Sequence, residues 1–238
     1  MKSKSLKKLS LSDANLLLTI TIVVFFLMYI GAMIFEGGGF LKPQTFFNIL
    51  NANGAFITAC GLSLVMITGS IDISVGGVVA LVSMCCAVYL DFMGGNVFVS
   101  LLIALGIGLA FGLVQGFLVA YLDIQPFIVT LAGMFFARGM TSIVHTDPFN
   151  VQNEAFVKLK DTRVIVPGMG SVNRIGKYVN AYVEIGVIVA ILIVIIMFVL
   201  LRWTKLGRSF YAVGGNRQSA LMLGINVKKT RFLAHLLS

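Results

Sequence analysis

The sequence predicts an all-α fold, a polytopic transmembrane helical bundle of about six spans, on three observations. Hydrophobic residues fill 58% of the 238 positions and charged residues only 11%, against about 25% charged in a soluble domain. The apolar residues gather into runs near the ~20 residues that a bilayer core requires. The basic charge sits outside those runs. Formal net charge is +9, and eleven of the eighteen basic residues form two clusters. Lys2, Lys4, Lys7 and Lys8 precede the first run; Arg202, Lys205, Arg208, Arg217, Lys228, Lys229 and Arg231 follow the last. Such placement follows the positive-inside rule and points to membrane lipid, with no need for nucleic acid as a partner.

The runs follow in order. Residues 1–15 read as a cytoplasmic N-terminal segment. The uncharged run Leu16–Phe35 is too long for a signal core and lacks a small-residue cleavage site, so it reads as a retained anchor. A second span begins near Asn51 and ends near Gly69. The third is Ser74–Leu90, the fourth Val97–Tyr121, the fifth Pro126–Val144, and the sixth Ile185–Leu201, closed by Trp203 at the interface. Residues 16–203 thus form a transmembrane domain. Six crossings from an inside N-terminus return the chain to the cytoplasm at 204–231, where the second basic cluster lies. The 146–183 loop falls outside. Pro148, Pro167, Gly168 and Gly170 break it, and VQNEAFVKLKD between them predicts a short amphipathic helix with Val151, Ala155, Phe156 and Leu159 inward. A loop this long is either a connector or a receiver for a partner outside the membrane.

Several side chains stand out within the spans. Ala104, Gly108, Gly112, Gly116 and Ala120 recur every fourth residue and form a smooth face for close helix packing. Asp72 and Ser74 lie in the short break between the second and third spans. They are either caps of a tight turn or hydrogen-bonding groups on a translocation route through a broken helix. Gln115 is a strong hydrogen-bonder inside the fourth span, fit for a pathway or for joining helices. Gln125 and Pro126 open the fifth span, Pro126 in the first turn where its missing N–H costs little, and Thr130 lies one turn further in. Arg138 is the one basic residue within a span; it either snorkels to the headgroups or turns inward to a partner. Cys60, Cys85 and Cys86 sit in apolar runs without ligand spacing and read as buried hydrophobes. No catalytic motif, phosphate-binding loop, cofactor signature or metal-ligating cluster is present, so ATP chemistry would have to come from another subunit.

The segment Arg202–Arg231 is polar, basic and glycine-punctuated. Asn216 is an N-cap for a helix of about two turns over 217–223, and Gly224 is a left-handed stop. The stretch TKLGRSFYAVGGNRQSALMLGINV (204–227) resembles the cytoplasmic coupling loop of permeases from ribose-, xylose- and galactofuranose-type ABC sugar importers. GSIDISVGG (69–77) resembles the family's Gly-x-Ile-Asp-Leu-Ser-Val-Gly signature, with Ile73 in the leucine place. IQPFIVTLAGMFFARGM (124–140) resembles its Gln/Pro-Phe-Ile-x-Thr-Leu…Arg-Gly segment, nearest to the galactofuranose branch. The three occur in order over nearly the whole chain; Ser219 departs from a common alanine.

The resemblance implies an ABC importer permease fold working by alternating access in the inner membrane. The implied substrate is a pentose or hexose, the furanose form included. It implies a cytoplasmic ATP-binding subunit, an extracytoplasmic sugar-binding protein and a second permease subunit, with Gly207, Arg208, Ala212, Gly214, Asn216 and Gly224 in ATPase coupling. Related permeases carry nucleosides or branched-chain amino acids, which leaves those solutes as alternatives. Family members run on through further spans, so residues 232–238 read as the start of a truncated span. A non-transporting fragment is the remaining alternative.

Overall fold

The computed structural model describes residues 13–36, 42–51, 54–172 and 178–238, so the N-terminal basic cluster lies outside the described residues. The elements run α1 (Asp13–Glu36), α2 (Pro43–Asn51), α3 (Gly54–Ile67), α4 (Val75–Asp91), α5 (Val97–Ala120), α6 (Pro126–Val144), α7 (Glu154–Lys160), β1 (Arg163–Val172), β2 (Tyr178–Glu184), α8 (Ile185–Trp203), α9 (Lys205–Gly215), α10 (Arg217–Met222) and α11 (Val227–Leu236). They fall into two compact units, one of residues 1–49 and 165–182, the other of 50–164 and 183–238.

In the first unit, α1 buries none of its residues from 15 to 36 and is apolar all round, the composition of a helix that crosses a bilayer. A two-stranded sheet pairs β1 with β2. This hairpin departs from the all-α expectation. Its cause is local: Val164, Ile165 and Val166, then Tyr178, Val179, Tyr182 and Val183, are β-branched or aromatic residues in runs too short for a helix. Gly168, at φ 82°, takes the left-handed turn in β1. Gln44 of α2 holds the end of β2: its Oε1 accepts the Tyr182 N–H at 2.9 Å and its Nε2 donates to the Tyr182 carbonyl at 3.4 Å.

The second unit holds the remaining apolar helices. Among the described residues, four helices are long and apolar enough to cross a membrane: α1, α5, α6 and α8. A fifth span arises if α2 and α3 count as one broken crossing. The expected third span is α4, which at 17 residues reaches ~26 Å, a little short of the ~30 Å hydrocarbon core. In α7, Asn153 caps the first turn and Asp91 accepts the N–H groups of Gln152 and Asn153 at 2.9–3.0 Å. The expected inward face is shifted: Phe156 and Val157 are half-buried, whereas Ala155 and Leu159 are exposed. The helix starts only at Glu154, after the cap, and that sets the phase.

Two close contacts organise this unit. Gly77 of α4 lies against α6, where an added Cβ would stand 2.8 Å from the Met134 carbonyl oxygen. The small-residue face of α5 receives α11, which runs antiparallel to it. A Cβ at Gly116 would meet the Phe232 carbonyl oxygen at 3.1 Å, and one at Gly112 the His235 carbonyl oxygen at 3.0 Å. Only the second half of the stripe is covered this way; nothing lies within 4 Å of a Cβ at Gly108, and Ala104 is half-buried.

Midway along α11, buried Arg231 donates to Asp123 Oδ1 at 2.8 Å. Asp123 sits at φ 54°, a left-handed conformation that Asp and Asn tolerate. The hydrogen bond and charge of Arg231 hold its carboxyl below the usual carboxylate range. A depressed pKa stabilises the fold above the unfolded value, and that contribution is lost as pH falls through the folded one. Asp123→Asn keeps the turn and an Oδ1 acceptor but removes a solvent-screened charge, which should cost up to about 1 kcal/mol and lower the thermal midpoint of the purified chain. It should also remove part of the wild-type loss of stability as pH falls from about 5 to about 2. Parallel profiles for the two chains across that range would show that the pair contributes nothing.

Candidate functional site

Three of the residues singled out in the sequence converge. Helix α3 ends at Gly69, φ 73°, with the Ser70 N–H bonded to the Val65 carbonyl and the Gly69 N–H to that of Met66, a Schellman stop. The chain then turns through Asp72. Its Oδ1 accepts the Ser74 N–H at 2.8 Å and the Ser74 hydroxyl at 2.7 Å, so Asp72 fixes the start of α4. The Ser74 hydroxyl also lies 3.2 Å from the Gln115 amide oxygen, while buried Gln115 Nε2 has no acceptor. One hydroxyl proton cannot serve two acceptors. Turning the Gln115 amide resolves both points: Nε2 donates to Ser74 Oγ, which donates to Asp72.

A cavity of about 130 Å³ opens beside this chain of hydrogen bonds, lined by Thr58, Asp72, Ser74, Gln115, His235 and apolar residues of α4 and α5. Among the described residues, Asp72 Oδ2 is held only by a 3.5 Å contact from Ser238 Oγ. His235 is 3% exposed, and neither ring nitrogen has a hydrogen-bond partner among the described residues. Buried polar groups without partners are costly, so the cavity is a place where hydrogen-bonding capacity is held unused among apolar helices. His235 was not legible as a site residue. Its signal was the spacing of Val227, Thr230, Arg231, Ala234 and His235, the buried face of α11.

The other singled-out residues stay apart from this cavity. Gln125 is exposed at the start of α6 and makes no side-chain cap bond. Thr130 is fully buried and donates to the Pro126 carbonyl at 2.9 Å. Arg138 is exposed on α6 beside buried Ala137, and no carboxylate pairs with it among the described residues.

The basic segment after α8 is a series of three capped helices. Thr204 Oγ1 accepts the Gly207 N–H, Asn216 Oδ1 the Ser219 N–H, and Asn226 Oδ1 the Lys229 N–H, at 2.9–3.1 Å. Helix α9 was not anticipated; its glycines disguise it. Gly207 and Gly214 are there for contact, since a Cβ at Gly207 would strike the carbonyls of Leu200 and Leu201, and one at Gly214 that of Ile67. The helix expected over 217–223 is α10, closed by Gly224 at φ 76°. The Ile225 N–H reaches the Ala220 carbonyl at 3.0 Å and the Gly224 N–H that of Leu221 at 2.9 Å.

The segment is tied to the spans by Phe210. This fully buried ring packs with Leu64 of α3 and Ala234 of α11, against Met197, Leu200 and Leu201 of α8. A second cluster of Val213, Ala220 and Val227, with Ala212 and Ile225 against it, locks α9, α10 and α11 together. Outward, α10 presents Leu221, Met222 and Leu223, the last two 80% and 77% exposed, beside exposed Arg217 and Gln218. Protruding apolar residues rimmed by polar ones mark an interaction surface.

Residues 45–238 match the family described as branched-chain amino acid transport system / permease component. The chain is 34% identical to the fructose import permease protein FruG of Bifidobacterium longum, over 100% of this chain and 68% of that relative. It is 33% identical to the inner membrane ABC transporter permease protein YjfF of Escherichia coli, over 94% of this chain and 64% of the relative. It is 34% identical to the ribose import permease protein RbsC of Escherichia coli, over 82% and 58%. The chain thus spans about two thirds of the length of the curated relatives it matches. No solved structure matches it significantly. On the match over residues 45–238 and on these identities, the chain belongs to the branched-chain amino acid transport system / permease component family, whose members here include sugar import permeases of ABC transporters.

Proposed function

We propose that this chain is the membrane-spanning permease subunit of an ATP-driven importer that carries a pentose or hexose across the inner membrane. One observation carries the reading. Helix α11 lines the polar cavity with His235 at one end, and at the other it packs through Val227 against the helices that bear the exposed apolar surface of α10. A solute site and a partner surface thus share one rigid element. The fructose and ribose named for the relatives supply the substrate class, and hydroxyl-rich solutes suit a cavity holding unused donors and acceptors.

In this reading Asp72, Ser74 and Gln115 contact sugar, joined by His235. Residues 204–231 face the cytoplasm and dock a separate ATP-binding subunit through α10, with Arg208, Gly214, Asn216 and Gly224 exposed, Ala212 half-buried and Gly207 buried. The 146–183 loop faces an extracytoplasmic sugar-binding protein, and a second permease subunit completes the path. The orientation rests on the basic charge of 202–231.

The cavity is tested by labelled-sugar uptake, with the chain produced from its own gene alongside the ATP-binding subunit and the binding protein. Asp72→Asn keeps the Oδ1 acceptor that caps α4 but removes the charge beside the cavity, and uptake should fall at least tenfold, the equivalent of about 1.4 kcal/mol. Gln115→Ala should fall comparably. Near-normal uptake by Asp72→Asn would reduce Asp72 to a cap. For the partner surface, Asn216→Ala should cost about 1 kcal/mol of local helix stability, and Gly224→Val should distort the helix exit. Together they should impair ATPase coupling while membrane insertion persists, and a cysteine replacing Ser219 should resist impermeant thiol reagents applied outside. Normal sugar-stimulated ATP hydrolysis in the double variant would count against α10 as the coupling helix.

A further inference from the structure

We infer that the corner between α8 and α9 is a binding site for the headgroup of an anionic phospholipid, with Arg202 and Arg208 on its phosphate and the acyl chain along Phe198 and Leu201. A cavity of about 360 Å³ is lined by Phe198, Leu201, Arg202, Arg208 and Tyr211. Two of these come from the end of a membrane-spanning helix and two from the first turns of the polar segment; Arg202 lies between them, in the last turn of α8. The corner itself is rigid. Thr204 Oγ1 donates to the Leu200 carbonyl at 2.6 Å and accepts the Gly207 N–H at 3.1 Å, and Gly207 lies against the backbone of Leu200 and Leu201.

The chemistry at this corner calls for an anion. Arg202 and Arg208 are exposed, and neither is ion-paired among the described residues. From Ile185 to Ser238 the sequence has seven Lys or Arg residues and no Asp or Glu, so this part of the chain cannot neutralise them itself. Guanidinium groups suit phosphate oxygens, and the Tyr211 hydroxyl adds a donor.

The walls choose between anions. Phe198 is 59% exposed, on a helix that meets hydrocarbon, and the Trp203 ring packs edge-on against it with centroids 5.8 Å apart. A free phosphate or a soluble acidic protein would leave that floor uncovered. A lipid fills both halves, and tryptophan at this depth is the usual companion of headgroups. The site stands apart from the apolar surface of α10 and from the Asp72 cavity; it shares Arg208 with the proposed coupling segment, but its test reads lipid preference and not transport, so the inference does not rest on the import reading.

Trp203 is the single tryptophan of the chain, which makes it a reporter at the corner. The full chain is placed in phosphatidylcholine bilayers, and Trp203 quenching by brominated phosphatidylglycerol is compared with quenching by brominated phosphatidylcholine. Near the membrane surface each arginine changes affinity for anionic lipid about fivefold. The wild type should therefore prefer phosphatidylglycerol by roughly 25-fold, R202Q and R208Q should each lose about fivefold, and R202Q/R208Q should show no preference. Unchanged quenching by brominated phosphatidylcholine in the double variant reports that Trp203 keeps its place. K228Q/K229Q, which removes equal charge elsewhere, should keep the preference. Equal quenching by the two lipids in the wild type, a preference surviving in R202Q/R208Q, or an equal loss in K228Q/K229Q would overturn the site. Displacement of the brominated lipid by inorganic phosphate alone would assign the corner to a free anion and also overturn it.

Discussion

The approach of α11 to the glycine face of α5 is the contact on which the rest of the second unit depends. Inside a bilayer, apolar helices gain little by exchanging lipid for one another, and association rests on how closely backbones can meet. At Gly112 and Gly116 the space for a Cβ is already taken by the α11 backbone, at 3.0–3.3 Å. That nearness brings Arg231 to Asp123 and His235 over the polar cavity. On the other side of α11 it brings Ala234 into the cluster of Leu64 and Phe210. Helices α9 and α10 are then held by Phe210 and Val213, and so indirectly by the two glycines.

Placing the cavity and the partner surface on one element has a mechanical consequence. Helix α11 has ten residues, about 15 Å of rigid rod. Its middle is pinned at Arg231 by a charge-assisted hydrogen bond, and its end carries the His235 imidazole, which has no hydrogen-bond partner among the described residues. Under the proposed reading, a displacement of α10 passes through the Val213, Ala220 and Val227 cluster into a tilt of this rod. The tilt alters the distance from His235 to Asp72 and Gln115. Polar capacity left unsatisfied in apolar surroundings is what a hydroxylated solute would use, since it repays the desolvation of both sides.

What was legible in the sequence was what local chemistry determines. Composition and run length marked the spanning helices α1, α5, α6 and α8. The caps and stops at Asn216 and Gly224 were readable because they depend on a residue and its next few neighbours. The fourth-residue spacing of small residues gave the packing face of α5. Helix α9 was hidden because Gly207, Gly214 and Gly215 lower helix propensity, and the tertiary contact that explains the first two is not visible in the sequence. The hairpin of β1 and β2 was missed because its short β-branched runs sit in a region rich in turn residues. The partner of Asp123 lies 108 residues away, and no local pattern pairs them. His235 joined Asp72, Ser74 and Gln115 only through the antiparallel docking of α11. Arg138, the most conspicuous charge within a span, proved to be exposed because Ala137, beside it, takes the packed side of α6.

The central claim, that α11 lies antiparallel on the glycine face of α5, is tested most directly by disulfide trapping in the membrane. A Cβ at Gly116 would stand 3.3 Å from the Cβ of His235, close to the separation of a disulfide. In a chain whose three native cysteines are replaced, Gly116→Cys with His235→Cys should cross-link within the monomer on mild oxidation and run faster on a non-reducing gel. Gly108→Cys with His235→Cys should not. Failure of the first pair to cross-link, or equal trapping by the second, would contradict the packing on which the cavity and the coupling segment both rest.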